Sequence, residues 1–253
     1  MNWSGFVLSI GMAVAAGLVG CFAVMRRMSL ASDAMSHVAL PGIGIAIALN
    51  VHPLFGAVTA LAVGTALVWG LERKTRISTE TVIGVVFSLA LALGALLSTG
   101  EELMDALLGT PSALEPWELA LGVVGVVAVT GFIVTQRSRL VLVQVSTDVA
   151  RTAGVAVARI ELLYLFAFSL TVALGLRYLG VLLMGSLIII PAATAKLVAR
   201  SLGEMLAVAV GSATLSTIAG ELVAMRVGRP TGPVIITIAA ALFFLGLPLR
   251  RSR

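Results

Sequence analysis

Charged side chains are scarce in this sequence, and their scarcity excludes a soluble globular protein. Only 11% of the 253 residues are charged, whereas 59% are hydrophobic and the mean hydropathy is +1.10. Soluble domains carry about a quarter charged residues. A single core could not bury this much apolar surface, so the excess must face lipid. The sequence therefore predicts an integral membrane protein.

Cysteine and several catalytic motifs are also scarce or absent. Cys21 is the single cysteine, which excludes a disulfide framework and a cysteine metal cluster, and we expect it to be an inert buried residue. There is no GxxxxGK[ST] segment, no HExxH pair and no GxSxG elbow. These absences argue against a P-loop, a zinc protease and a serine hydrolase. No polar stretch is long enough for a soluble domain, which predicts one transmembrane domain over residues 1–253.

Long apolar runs are what the sequence has in abundance. They are continuous rather than alternating, which favours membrane-spanning helices over a barrel. The first run has no basic residue ahead of it, so we expect a true span and not a signal peptide. Hydropathy predicts about nine spans: Phe6–Met25, Leu30–Asn50, Leu54–Leu71, Val82–Ser98, Leu119–Thr135, Leu162–Leu176, Gly180–Leu197, Met205–Ala224 and Val234–Leu247.

The basic residues between these runs predict the orientation of the chain. Of the 17 Lys and Arg residues, only Arg177, Arg226 and Arg229 fall in segments that this topology places outside. Basic residues concentrate in cytoplasmic loops, so we expect the N-terminus outside and the C-terminus in the cytoplasm. One long outer loop fits this orientation because it holds acids and no base: Glu101, Glu102, Asp105, Glu115 and Glu118.

Two ionisable residues, Asp33 and His37, interrupt the second apolar run. At four-residue spacing on a helix they share one face. If the helix begins near Ser29, His37 lies about 12 Å along it, where ionisable groups are costly and normally face a water-filled path. A carboxylate and an imidazole suit zinc or manganese. The residues alone leave a structural alternative open, in which Asp33 caps the helix and His37 bonds a neighbouring backbone.

Proline and glycine mark further candidate positions. Pro41 follows His37 by four residues and is expected to kink the helix, as is Pro191 in a later span. In the cytoplasmic stretch from residue 146 to 161, Ser146, Thr147 or Asp148 could cap a short helix that Gly154 ends. This stretch suits either a plain connecting loop or a surface for a partner.

Two other ionisable residues lie in or beside the spans. Glu221 lies inside a span, so it either lines a path or pairs with Arg226. His52 precedes Pro53 at the outer side, and we expect an exposed loop histidine without a role.

Five segments resemble the permeases of metal-type ABC importers, which are the zinc, manganese and iron uptake systems. They occur in the family's order and spread over nearly the whole chain. The segments are RRMSLASDAMSHVALPGIGIAIAL, STETVIGVVFSLALALGALL, DVARTAGVAVARIELL, GVLLMGSLIIIPAATAKL and TGPVIIT.

The resemblance implies a type II ABC importer permease, an all-α bundle of about eight or nine transmembrane helices in a bacterial plasma membrane. Such a permease is not an enzyme and holds no resident cofactor. It pairs as a homodimer, or with a homologous permease, around a central path. A separate ATPase subunit would lie below it, and an external metal-binding protein would dock above. No nucleic acid is expected among its partners.

The resemblance also implies roles for particular residues. Asp33 and His37 would line the path of the transported ion, with zinc first and manganese or iron next. The cytoplasmic segment at about residues 146–161 would receive the motion of the ATPase. Within that segment, the resemblance assigns this coupling role to five residues: Asp148, Ala150, Arg151, Gly154 and Arg159.

Two other classes of function remain as alternatives. Buried Asp33 and Glu221 could belong to a proton-coupled secondary transporter that needs no ATPase. Such a transporter would be expected to show an internal inverted repeat, and the sequence shows none by eye. An intramembrane enzyme could use Asp33 and His37 as general base and orienting group, but the sequence offers no credible nucleophile.

Overall fold

The computed structural model describes residues 3–28, 31–75, 77–97, 115–179 and 181–249, and every regular element in these ranges is helical. A 3-10 turn, Leu247–Leu249, follows the last helix. In chain order the helices are α1 (Trp3–Met25), α2 (Ala31–Val38), α3 (Leu40–Ala48), α4 (Pro53–Lys74), α5 (Thr79–Leu97), α6 (Pro116–Val145), α7 (Thr147–Thr152), α8 (Val157–Leu179), α9 (Val181–Val198), α10 (Leu202–Val227) and α11 (Thr231–Gly246).

The prediction of an all-α integral membrane protein is confirmed. Within the described ranges, seven segments are long and apolar enough to cross a membrane if α2 and α3 count as one, and α9 and α11 contribute two shorter apolar helices. Each predicted run falls on one of these segments. Several predicted residues lie outside the described ranges, namely Leu30, Arg76, Ser98, Glu101, Glu102, Asp105, Gly180, Arg250, Arg251 and Arg253.

One predicted span extends further as a helix than hydropathy predicts. The run that was expected to end at Thr135 continues as α6 to Val145. A helix of 30 residues is about 45 Å long, which exceeds the roughly 30 Å hydrocarbon core. Backbone hydrogen bonds continue the helix past the membrane because they do not depend on apolar side chains.

The second predicted span is two helices rather than one. The helix assignment is interrupted at Ala39 alone, which keeps helical dihedral angles (φ −71°, ψ −27°). Pro41 is buried in the first turn of α3, where a missing N–H is tolerated. The same missing N–H leaves the carbonyl of His37 without its usual donor four residues later. The break between the two helices therefore lies directly after the Asp33/His37 turn, and the kink expected at Pro41 stays a prediction.

Helix α1 runs through the bundle and contacts α6, α8, α9 and α10. Near its start, the Ser9 hydroxyl donates to the carboxylate of Glu221 in α10. At its end, Arg26 lies 3.9 Å from the Glu161 carboxylate and over the ring of Tyr164, both in α8. These contacts show that the last turns of α10 and the first turns of α8 lie at opposite ends of the bundle. Cys21 is buried in α1, as expected.

Helices α2 to α5 form a second group, which α8 joins to α1 through its contacts with α4. The closest approach in this group is the crossing of α3 and α4. An ideal Cβ at Gly42 would lie 2.2 Å from the Gly56 carbonyl oxygen, and one at Gly56 would lie 2.1 Å from the Gly42 carbonyl oxygen. The two backbones touch, so neither position has room for a side chain.

We expect Gly56→Ala to lower the free energy of unfolding by about 1–3 kcal/mol, because the added methyl group must push α3 away from α4. Thermal unfolding of the detergent-solubilised protein measures the effect. Gly70→Ala is the matched control, since it lies on the same helix and its ideal Cβ meets nothing within 4 Å. Equal melting temperatures for the two variants would contradict the prediction.

Candidate functional site

Helix α2 carries its ionisable residues on one outward strip. Asp33 is exposed, and Ala34 and His37 are partly exposed. We call these three residues the α2 strip. The other face packs against α4, α5, α8 and α9. Its buried residues are Ala31, Ser32, Met35, Ser36 and Val38. The structure therefore brings Asp33 and His37 onto one face, about 6 Å apart along the helix axis.

His37 presents its two ring nitrogens to different surroundings. Nδ1 is buried and has no hydrogen-bond partner among the described residues. The imidazole packs edge-on against Phe87 of α5, with the ring centroids 5.5 Å apart. A buried nitrogen without a partner is unusual, because such groups are normally satisfied. The structural alternative, a histidine bonded through Nδ1 to a neighbouring backbone, is not what the described residues show.

Asp33 lies against the backbone of α9. An ideal Cβ at Gly185 would be 3.3 Å from the Asp33 Cα atom and 3.4 Å from its Oδ1 atom. The adjacent Ser32 is fully buried, and its hydroxyl donates to the Gly185 carbonyl over 3.2 Å. No basic side chain in the described part of the chain forms an ion pair with Asp33. The carboxylate is therefore exposed and without an ion-pair partner among the described residues.

The strip lies at the level of the middle of the neighbouring helices. Val38, directly after His37, places Cγ1 2.7 Å from the ideal Cβ position of Gly64, at the middle of α4. Phe87, which contacts His37, lies near the middle of α5. Because each residue adds about 1.5 Å of rise, Gly64 is about 15 Å from either end of α4. His37 therefore lies level with the middle of α4 and α5, and its depth in the membrane stays a prediction.

One copy of the chain offers few donors for a metal ion. The described residues contain no group of three or more His, Cys, Asp or Glu side chains that could hold one. A structural zinc site uses four ligands, and manganese prefers more oxygen donors. Asp33 and His37 would thus need donors from water, from the backbone or from another chain.

Glu221 has a different neighbour from the one that the sequence suggested. Its carboxylate accepts a hydrogen bond from Ser9, whereas the ion pairs among the described residues do not include one with Arg226. The side chain is half-buried between α1 and α10. A path-lining role for Glu221 stays a prediction.

His52 is not the free loop histidine that we expected. It caps α4, with Nδ1 accepting the Leu54 amide over 3.3 Å. This leaves Nε2 to face the Glu118 carboxylate at 3.2 Å. Glu118, predicted in an acidic loop, is in the first turn of α6 and only 1% exposed. The Pro after His52 and the Glu-x-x-Glu spacing at residue 115 were sequence signals for these helix starts.

The segment at residues 146–161, which the topology predicts to be cytoplasmic, forms a short helix and a reversal, as its capping residues predicted. The Ser146 hydroxyl accepts the Val149 amide, and α7 follows as a single short helix. Asp148 and Arg151 form an exposed pair with 3.3 Å between the nearest atoms. Gly154 then adopts φ +75°, a left-handed conformation that favours glycine. Ala150 is buried, whereas Asp148, Arg151 and Arg159 are exposed. The segment therefore packs through Ala150 and exposes its charged side chains.

Comparisons with known proteins identify a family and several relatives of this chain. Residues 2–250 match the model of the ABC 3 transport family. The chain is 32% identical to the high-affinity zinc uptake system membrane protein ZnuB of Haemophilus influenzae, over 99% of this chain and 96% of that protein. It is 29% identical to the manganese import system permease protein ScaB of Streptococcus parasanguinis, over 96% and 88% respectively. The structure resembles PsaBC from Streptococcus pneumoniae in complex with Fab, with a TM-score of 0.82 and 25% identity over 96% of this chain and 90% of that chain.

Proposed function

Because the chain belongs to the ABC 3 transport family, we propose that it forms the membrane path of an ATP-driven importer for a divalent transition metal ion. Zinc is the first candidate, and manganese or iron is next. The family membership confirms the resemblance found in the sequence, and the chain is a transport subunit rather than an enzyme. The matched relatives are named for zinc uptake and for manganese import, which supports a metal cargo without choosing the ion.

The observation that carries the proposal is the α2 strip, which holds a carboxylate and an imidazole half-way across the bundle. An ionised carboxylate facing hydrocarbon is costly, so such groups normally face a water-filled cavity. A second copy of the chain, or a homologous permease, would cover the strip and enclose that cavity. Two facing strips would offer two carboxylates and two imidazoles, which is enough for a four-ligand ion.

The ends of the bundle suit two further partners of the importer. The exposed surface of α7, with Asp148 and Arg151, would receive a separate ATPase subunit in the cytoplasm. An external metal-binding protein would deliver the ion at the other end. In this arrangement the N-terminus faces outside and the C-terminus faces the cytoplasm, as the positive charges of the loops suggest.

Uptake into proteoliposomes tests the proposal. The chain is reconstituted with its ATPase subunit and the external binding protein, and uptake of zinc, manganese and ferrous iron is measured with and without ATP. We expect uptake only when ATP and the ATPase are present. Uptake by the chain alone under an imposed pH gradient would overturn the proposal and favour the proton-coupled alternative.

A further inference from the structure

We propose that Gly185 of α9 is a positioning residue for Asp33 and thereby sets how tightly the path holds its ion. The inference rests on the proposed function, since it treats Asp33 as a ligand of the transported metal. Two contacts with consecutive residues of α2 carry it, one by packing and one by a hydrogen bond.

The packing contact is direct. An ideal Cβ at Gly185 would lie 3.3 Å from the Asp33 Cα, 3.4 Å from its backbone nitrogen and 3.4 Å from its Oδ1. These distances are tight for a methyl group, so a side chain at Gly185 would press on both the backbone and the carboxylate of Asp33. Only a residue without a side chain allows α9 to support the carboxylate this closely.

The hydrogen bond fixes the register of the same contact. Ser32 donates its hydroxyl to the Gly185 carbonyl over 3.2 Å, and both residues are buried. The neighbouring Ser36 donates its hydroxyl to the Ser32 carbonyl over 2.8 Å. Ser32 thus fixes the first turn of α2 to α9, and Asp33 follows it by one residue. A helix of eight residues depends on such tertiary contacts to stay in place.

Metal coordination is sensitive to displacements of this size. Zinc–oxygen bonds are about 2.0–2.2 Å long and tolerate errors of only about 0.2 Å. A methyl group at Gly185 would displace Asp33 by a few tenths of an ångström without changing any ligand. Mutating a residue that orients a metal ligand typically costs about 10–100-fold in metal affinity. We therefore expect a loss in this range from Gly185→Ala.

The experiment measures metal binding by the purified permease–ATPase complex. Zinc affinity is determined by titration calorimetry, and the absorption spectrum of bound Co²⁺ reports the geometry of the ligands. We expect Gly185→Ala to bind zinc about 10–100-fold more weakly and to shift the Co²⁺ bands. Gly84→Ala is the control, because its ideal Cβ meets nothing within 4 Å, and it should match the unmodified complex in both measurements.

Two further variants separate the possible failures. Ser32→Ala removes the hydrogen bond without adding an atom, so it tests the inference even where Gly185→Ala does not assemble, and it should also shift the Co²⁺ bands. Unchanged affinity and spectra in either variant, together with lost binding in Asp33→Asn, would overturn the role of Gly185 but leave the metal path standing. Normal binding by Asp33→Asn would instead overturn the metal path itself.

Discussion

Replacing His37 with alanine is expected to abolish metal uptake while the protein remains folded in the membrane. The variant removes one of the two proposed donors of the α2 strip. Loss of a direct ligand should cost at least as much as loss of a residue that supports one, so uptake should fall by more than about 100-fold. Metal-dependent growth and radioactive zinc uptake, in cells that lack their own importer, measure the loss.

The chain supplies a matched control for this prediction. His52 is its other histidine, and it caps α4 beside Glu118 rather than lying on α2. His52→Ala should therefore retain uptake per folded molecule, although it leaves a buried carboxylate with one partner fewer. Full uptake by His37→Ala would remove the ligand role from His37. Equal loss in both variants would point to a general effect of histidine removal on folding.

The second large effect is expected at Gly154, where valine should uncouple ATP hydrolysis from transport. The left-handed conformation at φ +75° costs a residue with a side chain about 1–2 kcal/mol. An ideal Cβ there meets nothing within 4 Å, so the effect comes from the backbone and not from a clash. A change of about 1.4 kcal/mol is tenfold, and we expect about tenfold fewer ions per ATP hydrolysed in reconstituted complexes.

Gly228 provides a control with the same strain at another place. It adopts φ +64° between α10 and α11, at the opposite end of the bundle from α7, and its ideal Cβ also meets nothing within 4 Å. Gly228→Val should lose comparable stability and keep its ratio of ions to ATP. Unchanged coupling in Gly154→Val, or equal uncoupling in both variants, would count against the coupling role of this segment.

The sequence predicted the spans well because the membrane imposes one simple condition on them. Each apolar run had to become a helix, and each one did within the described residues. The features that hydropathy missed lie at the ends of the spans, where the chain passes from apolar to polar residues. Hydropathy ended α6 early at the first charged residues, and it assigned Glu118 to a loop because it could not show that His52 would pair with it.

Only the part of the candidate site that lies within the single helix α2 was predictable from the sequence. The spacing of Asp33 and His37 fixes their common face, and the cost of ionisable groups within an apolar span predicts a functional position. Their neighbours on other helices were not predictable, because Gly185 and Phe87 reach them through tertiary packing. Nothing in the spacing of a single sequence shows which two helices will touch.

The brevity of α2 has one more consequence. Its eight residues form little more than two turns, which is too short to persist as an isolated helix. The distance between the two donors therefore exists only while the surrounding bundle holds this turn. Any local unfolding that frees α2 also separates Asp33 from His37, so amide hydrogen exchange in residues 31–38 should report how readily this turn opens.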